Sequence, residues 1–498
     1  MSAPKPSRTT MTTNAAQVAI DAWLPRWLPP VLYAFVSVVI FRDFIFSGDM
    51  LYGGDTESLG YMARAFFAER LAEGDMPLWN PRLLGGTPFI DSLAGGDSLY
   101  PPSLLLLMLL EPYRALGWKL VLHVFAAGLF AHGWVRALGC SRAAALVAGL
   151  AYMVAPFLVT LIFPAHDGKL FVTALTPLLF WTVERWWTER RAGGLAATGG
   201  VVALVTLTTH FQMAYFLFMA VGAYGVFRLV QGLRDRDSAP RAARTAWVGF
   251  GAFVGASVLG AAAAGVQLVP AFDYVTEASR RTATTTAADA AENRTYASSW
   301  GLHPEEAFAS LFVPEFIGGN LTALAPAGPQ GSALRDTWVD GTYWGRNLFK
   351  LNHEYIGLAV VLLALVGVLG ARRRGVAWFS AGLGGLALLY ALGEHTPVWG
   401  LFYALVPGIE LFRAPSMVIF LTGFAAVTLA ALGVDTLIDH AGALLQGGTG
   451  QEPARAQRIE RVLWAGAAAL LVALVLAVTG ALPELWMSLL GAPLDAQK

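Results

Sequence analysis

The chain has 498 residues and a formal net charge of zero, with 56% hydrophobic and only 14% charged residues. A soluble domain carries roughly a quarter charged residues, so this composition excludes an ordinary soluble globular protein. The balanced charge argues against a general nucleic-acid-binding protein. The single cysteine, Cys140, excludes an intramolecular disulfide and a Cys-x-x-Cys metal site. We therefore predict an integral membrane protein.

Apolar stretches near 20 residues long recur along the chain, and each can cross the roughly 30 Å hydrocarbon core of a bilayer as a helix. This pattern predicts an all-α polytopic membrane protein with about eleven transmembrane helices. The predicted spans are 28–46, 115–135, 143–163, 170–187, 194–210, 212–231, 247–270, 354–371, 376–393, 414–438 and 462–481. The apolar stretch 101–110 is too short to cross, so it is predicted to be re-entrant or interfacial.

The basic residues predict the orientation of these spans. With the N-terminus in the cytoplasm, the only basic residues in the short connections on the opposite side are Lys169 and Arg413. The cytoplasmic connections are arginine-rich, at 136–142, 185–191, 228–244, 372–374 and 455–461. Because cytoplasmic loops of membrane proteins carry an excess of Lys and Arg, this is the expected orientation.

The same assignment divides the chain into five parts. They are a cytoplasmic N-terminal segment (1–27), a transmembrane module (28–270) with a first extracytoplasmic loop (47–101), a second extracytoplasmic loop (271–353), C-terminal transmembrane helices (354–481) and an extracytoplasmic tail (482–498). In the first loop, Leu59, Met62, Phe66 and Leu71 recur at helical spacing. This spacing predicts an amphipathic helix near 58–73 that lies at the membrane surface.

Ionisable residues gather where the predicted spans meet the extracytoplasmic side. An ionisable residue near the hydrocarbon region is costly, and it is therefore a functional candidate. In chain order these residues are Asp55, Glu57, His166, Asp167, Lys169, His210, His353, Glu354, Glu394, His395 and Arg413. Their positions predict that these residues lie together at one face of the membrane and form a functional site there.

Each of the most prominent candidates also has a plain structural interpretation. Asp55 follows Gly53 and Gly54, which would let the backbone approach a ligand closely, although Gly-Asp pairs also form ordinary turns. The run 166–169 combines an imidazole, a carboxylate and an ammonium, which suits a phosphate site, a proton relay or a tight polar turn. Arg413 is placed to grip a lipid phosphate or simply to snorkel to the interface.

Short motifs along the chain resemble, in order, those of the YfhO family of bacterial membrane proteins, over roughly 40–440. They include Gly54-Asp55-Thr56, Pro77-Leu78-Trp79-Asn80-Pro81, Ala165-His166-Asp167-Gly168-Lys169, Glu354-Tyr355-Ile356-Gly357 and Phe412-Arg413-Ala414-Pro415-Ser416, with further stretches at 84–88, 100–102, 305–319 and 343–345. The resemblance implies a fold like that of the GT-C membrane glycosyltransferases. It also implies a catalytic acidic residue just after the first span, where Asp55 stands. Glu57 and Ser58 occupy a region where a Gln is expected in many members, which is a departure from the family pattern.

The resemblance and the residues together predict a glycosyltransferase of the bacterial cytoplasmic membrane whose active site is extracytoplasmic. It would move a sugar from a polyprenyl-phosphate donor to a cell-envelope glycan, lipid or protein, with membrane lipids and no nucleic acid as partners. Asp55 is the predicted general base. The predicted substrate-binding residues are Glu57, His166, Lys169, Glu354 and Arg413, of which Lys169 and Arg413, with His166, would stabilise the phosphate. No metal-ligand set is visible, so a divalent metal ion acting with Asp55, and with Asp91 or Asp97, stays open.

Two other classes compete with this prediction. A lipid or lipid-linked-sugar transporter or flippase would also be polytopic, but transporters commonly have internal repeats and broken helices at the midplane. The sequence contains no visible repeat, and its charged residues lie at the edge of the spans. A non-catalytic envelope assembly protein would keep the same fold while tolerating the loss of Asp55 and Lys169.

Overall fold

A computed structural model of the protein describes residues 15–51, 53, 55–56, 60–83, 85–234, 239–278, 287–312, 353–445, 453–481 and 488. Within these residues the chain is mostly helical, and the strands that occur there form one short antiparallel pair. The predicted all-α class is therefore confirmed.

The helices follow one another along the chain, and many of the connections between them are short. In the described residues they are α1 (Ala15–Trp23), α2 (Leu28–Ile40), α3 (Arg42–Ile45), α4 (Tyr61–Ala72), α5 (Pro101–Leu109), α6 (Pro112–Ala137), α7 (Arg142–Met153), α8 (Pro156–Val159), α9 (Asp167–Glu189), α10 (Ala192–Leu207), α11 (Phe211–Arg234), α12 (Ala239–Ala263), α13 (Gly265–Ala278), α14 (Ala287–Ser298), α15 (Pro304–Leu311), α16 (Leu358–Gly370), α17 (Arg374–Ala391), α18 (Pro397–Leu405), α19 (Ile419–Leu445) and α20 (Pro453–Val478). The strands are β1 (Trp79–Asn80) and β2 (Thr87–Pro88).

The helices overlap the predicted spans, but several are shorter than the spans. In the described part of the chain, the helices long and apolar enough to cross a membrane are Pro112–Ala137, Phe211–Arg234, Ala243–Ala263 and Pro415–Ala443. The pair Gln17–Trp23 and Leu28–Ile40, bent by 64°, is a fifth candidate. The predicted span 143–163 is divided because Pro156, which has no backbone N–H, starts a new helix. A total of about eleven spans and the two large loops therefore remain predictions.

Helix α19 lies at the centre of the C-terminal half, where it packs against α7, α16 and α17. Its contact with α16 depends on glycine, because a Cβ on Gly433 would lie 2.0 Å from the Leu363 carbonyl oxygen. Small residues allow such close approach of helix backbones, which is a common device in membrane helix packing. The main core beside this contact contains buried aromatic side chains, including Trp134, Phe180 and Phe424.

The segment between α3 and α6 has a small core of its own. Phe66 and Phe67 on α4 pack against the Phe89 ring, with centroid separations of 5.7 and 5.8 Å. A helix thus forms where the spacing predicts one, and Phe66 of the predicted apolar face is buried, whereas Met62 of that face is not. The structure buries Ala63 on the same side and leaves Met62 62% exposed, because the residues around Phe89 cover the helix from that side. Leu59 lies outside the described residues.

Candidate functional site

A cavity of about 340 Å³ lies beside the turn between α8 and α9. Five of the six predicted site residues line it, namely Asp55, His166, Lys169, Glu354 and Arg413. The sixth, Glu57, lies outside the described residues. Apolar side chains complete the wall, among them Phe157, Leu161, Met213, Ile419 and Phe420. The cavity thus combines charged groups from separate segments with an apolar lining.

Asp55 is held against the α8–α9 turn by its backbone. Its N–H donates to the Pro164 carbonyl oxygen at 3.2 Å. A Cβ on Gly53 would lie only 2.7 Å from the Phe163 carbonyl oxygen, so only glycine permits this approach without a backbone shift. The close approach predicted from the glycines is therefore made, at Gly53, to the protein's own turn.

His166 lies between Asp55 and Lys169. The Lys169 Nζ is 3.2 Å from His166 Nδ1, and His166 Nε2 is 3.4 Å from Asp55 Oδ2. An ammonium group can only donate a hydrogen bond, so Nδ1 accepts and the neutral imidazole carries its proton on Nε2. This tautomer directs an N–H towards the Asp55 carboxylate and fixes its orientation.

The surroundings of these three groups shift their protonation equilibria. The hydrogen bond from His166 lowers the pKa of Asp55, against a smaller opposing effect of burial. Burial lowers the pKa of His166, despite its contact with Asp55. Burial also lowers the pKa of Lys169 to about 8, against the attraction of Glu354 and Asp55. At neutral pH the site therefore holds a carboxylate, a neutral imidazole and an ammonium.

The facing wall of the cavity comes from the chain before α16 and α19. Gln212 on α11 donates to the backbone carbonyl oxygens of Arg413 and Ala414. The Arg413 guanidinium lies over the Tyr296 ring, 5.5 Å from its centroid. The buried Glu354 precedes α16 in a non-helical segment, although the sequence predicts a span from 354. Gly357 has φ 105°, and the helix begins only after it.

Backbone strain concentrates around this cavity. Non-glycine residues with positive φ include Trp300 at 62° and Ala414 at 54°, and both line the cavity. Ala165 at 59° and Thr209 at 64° directly precede His166 and His210. Such conformations cost about 1–3 kcal/mol each and persist where the surrounding structure enforces them, often at functional sites.

The ionisable residues that were predicted to lie together occur in two separate places. Glu394 and His395 do not reach the first cavity. They line a second cavity of about 450 Å³ with Arg294, whose guanidinium lies 5.0 Å from the Trp399 ring centroid. The sequence places these residues at the end of a predicted span but contains no information on which neighbouring segment they face.

Sequence reasoning missed Lys119, which is 2% exposed and contacts both oxygens of Asp97 at 2.9 and 3.1 Å. It also lies 2.6 Å from Asp167. Asp97 is thus an ion-pair partner here rather than a companion of Asp55 at a metal. Among the described residues, no group of three His, Cys, Asp or Glu side chains is arranged to hold a metal ion. Lys119 is a charged residue inside a predicted span, and this position is the signal by which the sequence could have identified it.

Comparison with known proteins agrees with the predicted resemblance. The family model described as bacterial membrane protein YfhO matches residues 105–298. This range contains His166 and Lys169, whereas Asp55, Glu354 and Arg413 lie outside it. No curated protein matches the chain significantly. Together with its apolar helices, the match supports a membrane protein that is similar, over residues 105–298, to the bacterial membrane protein YfhO family.

Proposed function

We propose that this protein is a membrane glycosyltransferase that moves a sugar from a polyprenyl-phosphate donor to an acceptor in the cell envelope, on the extracytoplasmic side. The YfhO family is associated with this class of activity. The observation that carries the proposal is the meeting of Asp55, His166, Lys169, Glu354 and Arg413 around one partly apolar cavity.

The reaction needs a base for the acceptor, and Asp55 suits that role. The acceptor hydroxyl oxygen attacks the anomeric carbon of the sugar, and its proton passes to the Asp55 carboxylate. The low pKa of Asp55, which the His166 hydrogen bond favours, keeps this group ionised at neutral pH. Its side chain is 62% exposed and therefore open to an incoming acceptor. General bases of this kind contribute typically about 10²–10⁴-fold to the rate.

The same step needs stabilisation of the leaving group. As the new glycosidic bond forms, the bond between the anomeric carbon and the phosphate oxygen breaks, and the lipid phosphate takes the electron pair. Lys169 and Arg413 would balance this growing negative charge. Lys169 is desolvated by burial, which strengthens its attraction for a phosphate.

The apolar part of the cavity suits the lipid part of the donor. Phe157 and Leu161 lie on the α8 side, and Ile419 and Phe420 lie at the start of α19. A polyprenyl chain would bury apolar surface against these side chains, while its phosphate meets the cations. One cavity would thus receive both chemical halves of an amphipathic donor.

The proposal is tested by a transfer assay with the purified protein in lipid vesicles, using a panel of radiolabelled polyprenyl-phosphate sugars. We expect Asp55→Asn to lower turnover by about 10²–10⁴-fold, because the amide cannot accept the proton. Asp49→Asn is the matched control, since Asp49 is an exposed carboxylate a few residues earlier.

The outcomes separate the proposed function from its rivals. Turnover by wild type and Asp49→Asn, lost in Asp55→Asn, would support a transferase with Asp55 as its base. Equal turnover in all three proteins would contradict the role of Asp55. Movement of the intact donor across the vesicle membrane, with no sugar transferred to an envelope extract, would instead favour a transporter.

A further inference from the structure

A buried cluster of four charged side chains lies behind the α8–α9 turn. Asp97 and Lys119 are its centre, with side chains 1% and 2% exposed. Arg64 on α4 donates from Nε to Asp97 at 3.0 Å. Lys119 on α6 contacts Asp97 and, at 2.6 Å, Asp167. Ser103 on α5 also donates to Asp97. The reaction proposed above uses none of these groups.

The cluster is electrically balanced, with two cations and two carboxylates. Buried charges are costly unless each has a partner of opposite sign and good hydrogen bonds. Burial would raise the pKa of Asp97, but the charges of Lys119 and Arg64 reverse this effect and keep it low. Such a cluster therefore holds together only as a complete set, and it ties α4 and the segment before α5 to α6 and α9.

One member of the cluster adjoins the candidate site. Asp167 is the first residue of α9 and follows His166, which contacts Asp55 and Lys169. The carboxylate of Asp167 favours the charged form of the His166 imidazole. Lys119 thus contacts, with the opposite charge, the residue that directly follows His166.

We propose that Lys119, held in place by Asp97, is a positioning residue which, by contacting Asp167 and balancing its negative charge, fixes the place and the charge environment of His166 beside Asp55. This inference deepens the proposed transferase function, on which its catalytic meaning rests. The positioning itself concerns only the protein's own residues and can be measured without any donor.

Other charges also act on His166 and must be kept constant in a test. Asp55 and Lys169 contact its ring, and Lys169 disfavours the imidazolium while Asp55 favours it. His210, at the start of α11, lies behind Gly168. Glu354 and Arg413 line the same cavity. None of these residues is altered in the variants proposed here.

The test measures the reaction of each histidine with diethyl pyrocarbonate as a function of pH, by mass spectrometry of peptides from the purified full-length protein. The reagent modifies neutral imidazole, so the midpoint of the curve for His166 reports its pKa. We expect Lys119→Met to raise this midpoint by about half a pH unit or more, because Asp167 loses its neutralising partner. Below the midpoint this corresponds to a roughly threefold slower reaction.

A second variant gives the opposite sign. Asp167→Asn leaves the Lys119 charge unbalanced near His166, so we expect the midpoint to fall by a similar amount. Loss of structure alone would not move the midpoint in opposite directions in the two variants. His123, which is 5% exposed, serves as the folding control and should stay unreactive. Arg70→Met, which removes an exposed ion pair from the same helix as Arg64, should leave the midpoint unchanged.

An unchanged His166 midpoint in both Lys119→Met and Asp167→Asn, with His123 still protected, would overturn the positioning role. A shift of the same sign in both would overturn it as well. The transferase proposal is judged separately, by turnover in Asp55→Asn. If that variant keeps full turnover while the His166 midpoints shift as expected, the cluster positions His166 and the assignment of Asp55 is wrong.

Discussion

The two ends of the helix bundle use the same kinds of side chain in different ways. At the cavity end, which carries Asp55 and the α8–α9 turn, charged groups from separate segments line an open space. At the opposite end, where α6 turns into α7, carboxylates are surrounded by donors from other helices. Asp435 on α19 accepts from the backbone N–H and the hydroxyl of Ser141 at 3.2 and 2.5 Å. Asp439 accepts from Gln17 and Arg372 at 3.0 and 2.8 Å.

This difference separates two roles for charge in a membrane protein. At the opposite end the partners of each carboxylate are built into the fold, so the charge contributes to helix packing. At the cavity end Lys169 and Arg413 line a space, so part of their attraction is available to a ligand. Substitutions at the cavity end should therefore lower activity, and those at the opposite end should lower stability.

Among the substitutions that test this contrast, the largest effect is expected at Lys169. Lys169→Met removes a cation that would stabilise the leaving phosphate, so we expect turnover in the transfer assay to fall by about 10²–10³-fold. Thermal stability should stay the same or rise, because a buried charge is replaced by an apolar side chain of similar length. Arg82→Met, which removes an exposed cation from the segment between α4 and α5, is the control and should keep full turnover. A large drop in the melting temperature of Lys169→Met would show that this charge contributes to packing, which contradicts the role assigned to the cavity end.

The opposite end should respond in the reverse way. Asp435→Ala leaves the donors of Ser141 buried without their acceptor, so we expect a loss of about 3 kcal/mol in the free energy of unfolding. Turnover per folded molecule should be unchanged. Glu189→Ala removes exposed pairs with Arg185 and Arg191, and its effect should stay within about 0.5 kcal/mol. Unfolding in detergent measures stability, and loss of turnover without loss of stability in Asp435→Ala would contradict the assignment.

A smaller effect is expected from Gly53→Ala. The added Cβ would lie 2.7 Å from the Phe163 carbonyl oxygen and must push the chain before Asp55 away from the α8–α9 turn. A displacement of this size at a reacting group costs about ten- to a hundredfold in rate. Gly48→Ala is the matched control, since nothing lies within 4 Å of its added Cβ. Equal turnover of the two variants would show that the position of Asp55 relative to His166 does not matter.

The residues that could be predicted from the sequence are those whose signal is local. Apolar runs predict the helices, and the family motifs together with the ionisable residues at the ends of the runs predict Asp55, His166, Lys169, Glu354 and Arg413. These residues meet because their segments end on the same side of the bundle, which the order of the spans already implies.

The features that were missed depend on contacts between distant segments. Lys119 pairs with Asp97 and Asp167, and no local pattern relates these three positions. The apolar stripe predicted for α4 includes Met62 and Phe66, but the residues near Phe89 cover the helix from the side of Phe66 and leave Met62 exposed. Glu394 and His395 were placed with the other ionisable residues, yet they face a second cavity because the segment carrying Arg294 lies beside them.

The smallest expected effect is a pH dependence that raises stability and lowers activity over the same pH range. Burial lowers the pKa of Lys169 to about 8 from 10.5, so between these values the unfolded chain holds a proton at this position that the folded chain has released. The free energy of unfolding should therefore rise with pH from about 8 to about 10 through this group, and Lys169→Met should lack that rise.

The phosphate site, by contrast, needs the ammonium form. The ratio kcat/KM reports the free enzyme, so it should fall about tenfold between pH 7 and pH 9 in wild type. In Lys169→Arg the guanidinium stays charged, and whatever activity this variant has should persist above pH 9. A wild-type kcat/KM that stays level to pH 9 would mean that the Lys169 charge does not contribute to donor binding or turnover, and the contrast between the two ends of the bundle would then rest on Asp55 and Arg413 alone.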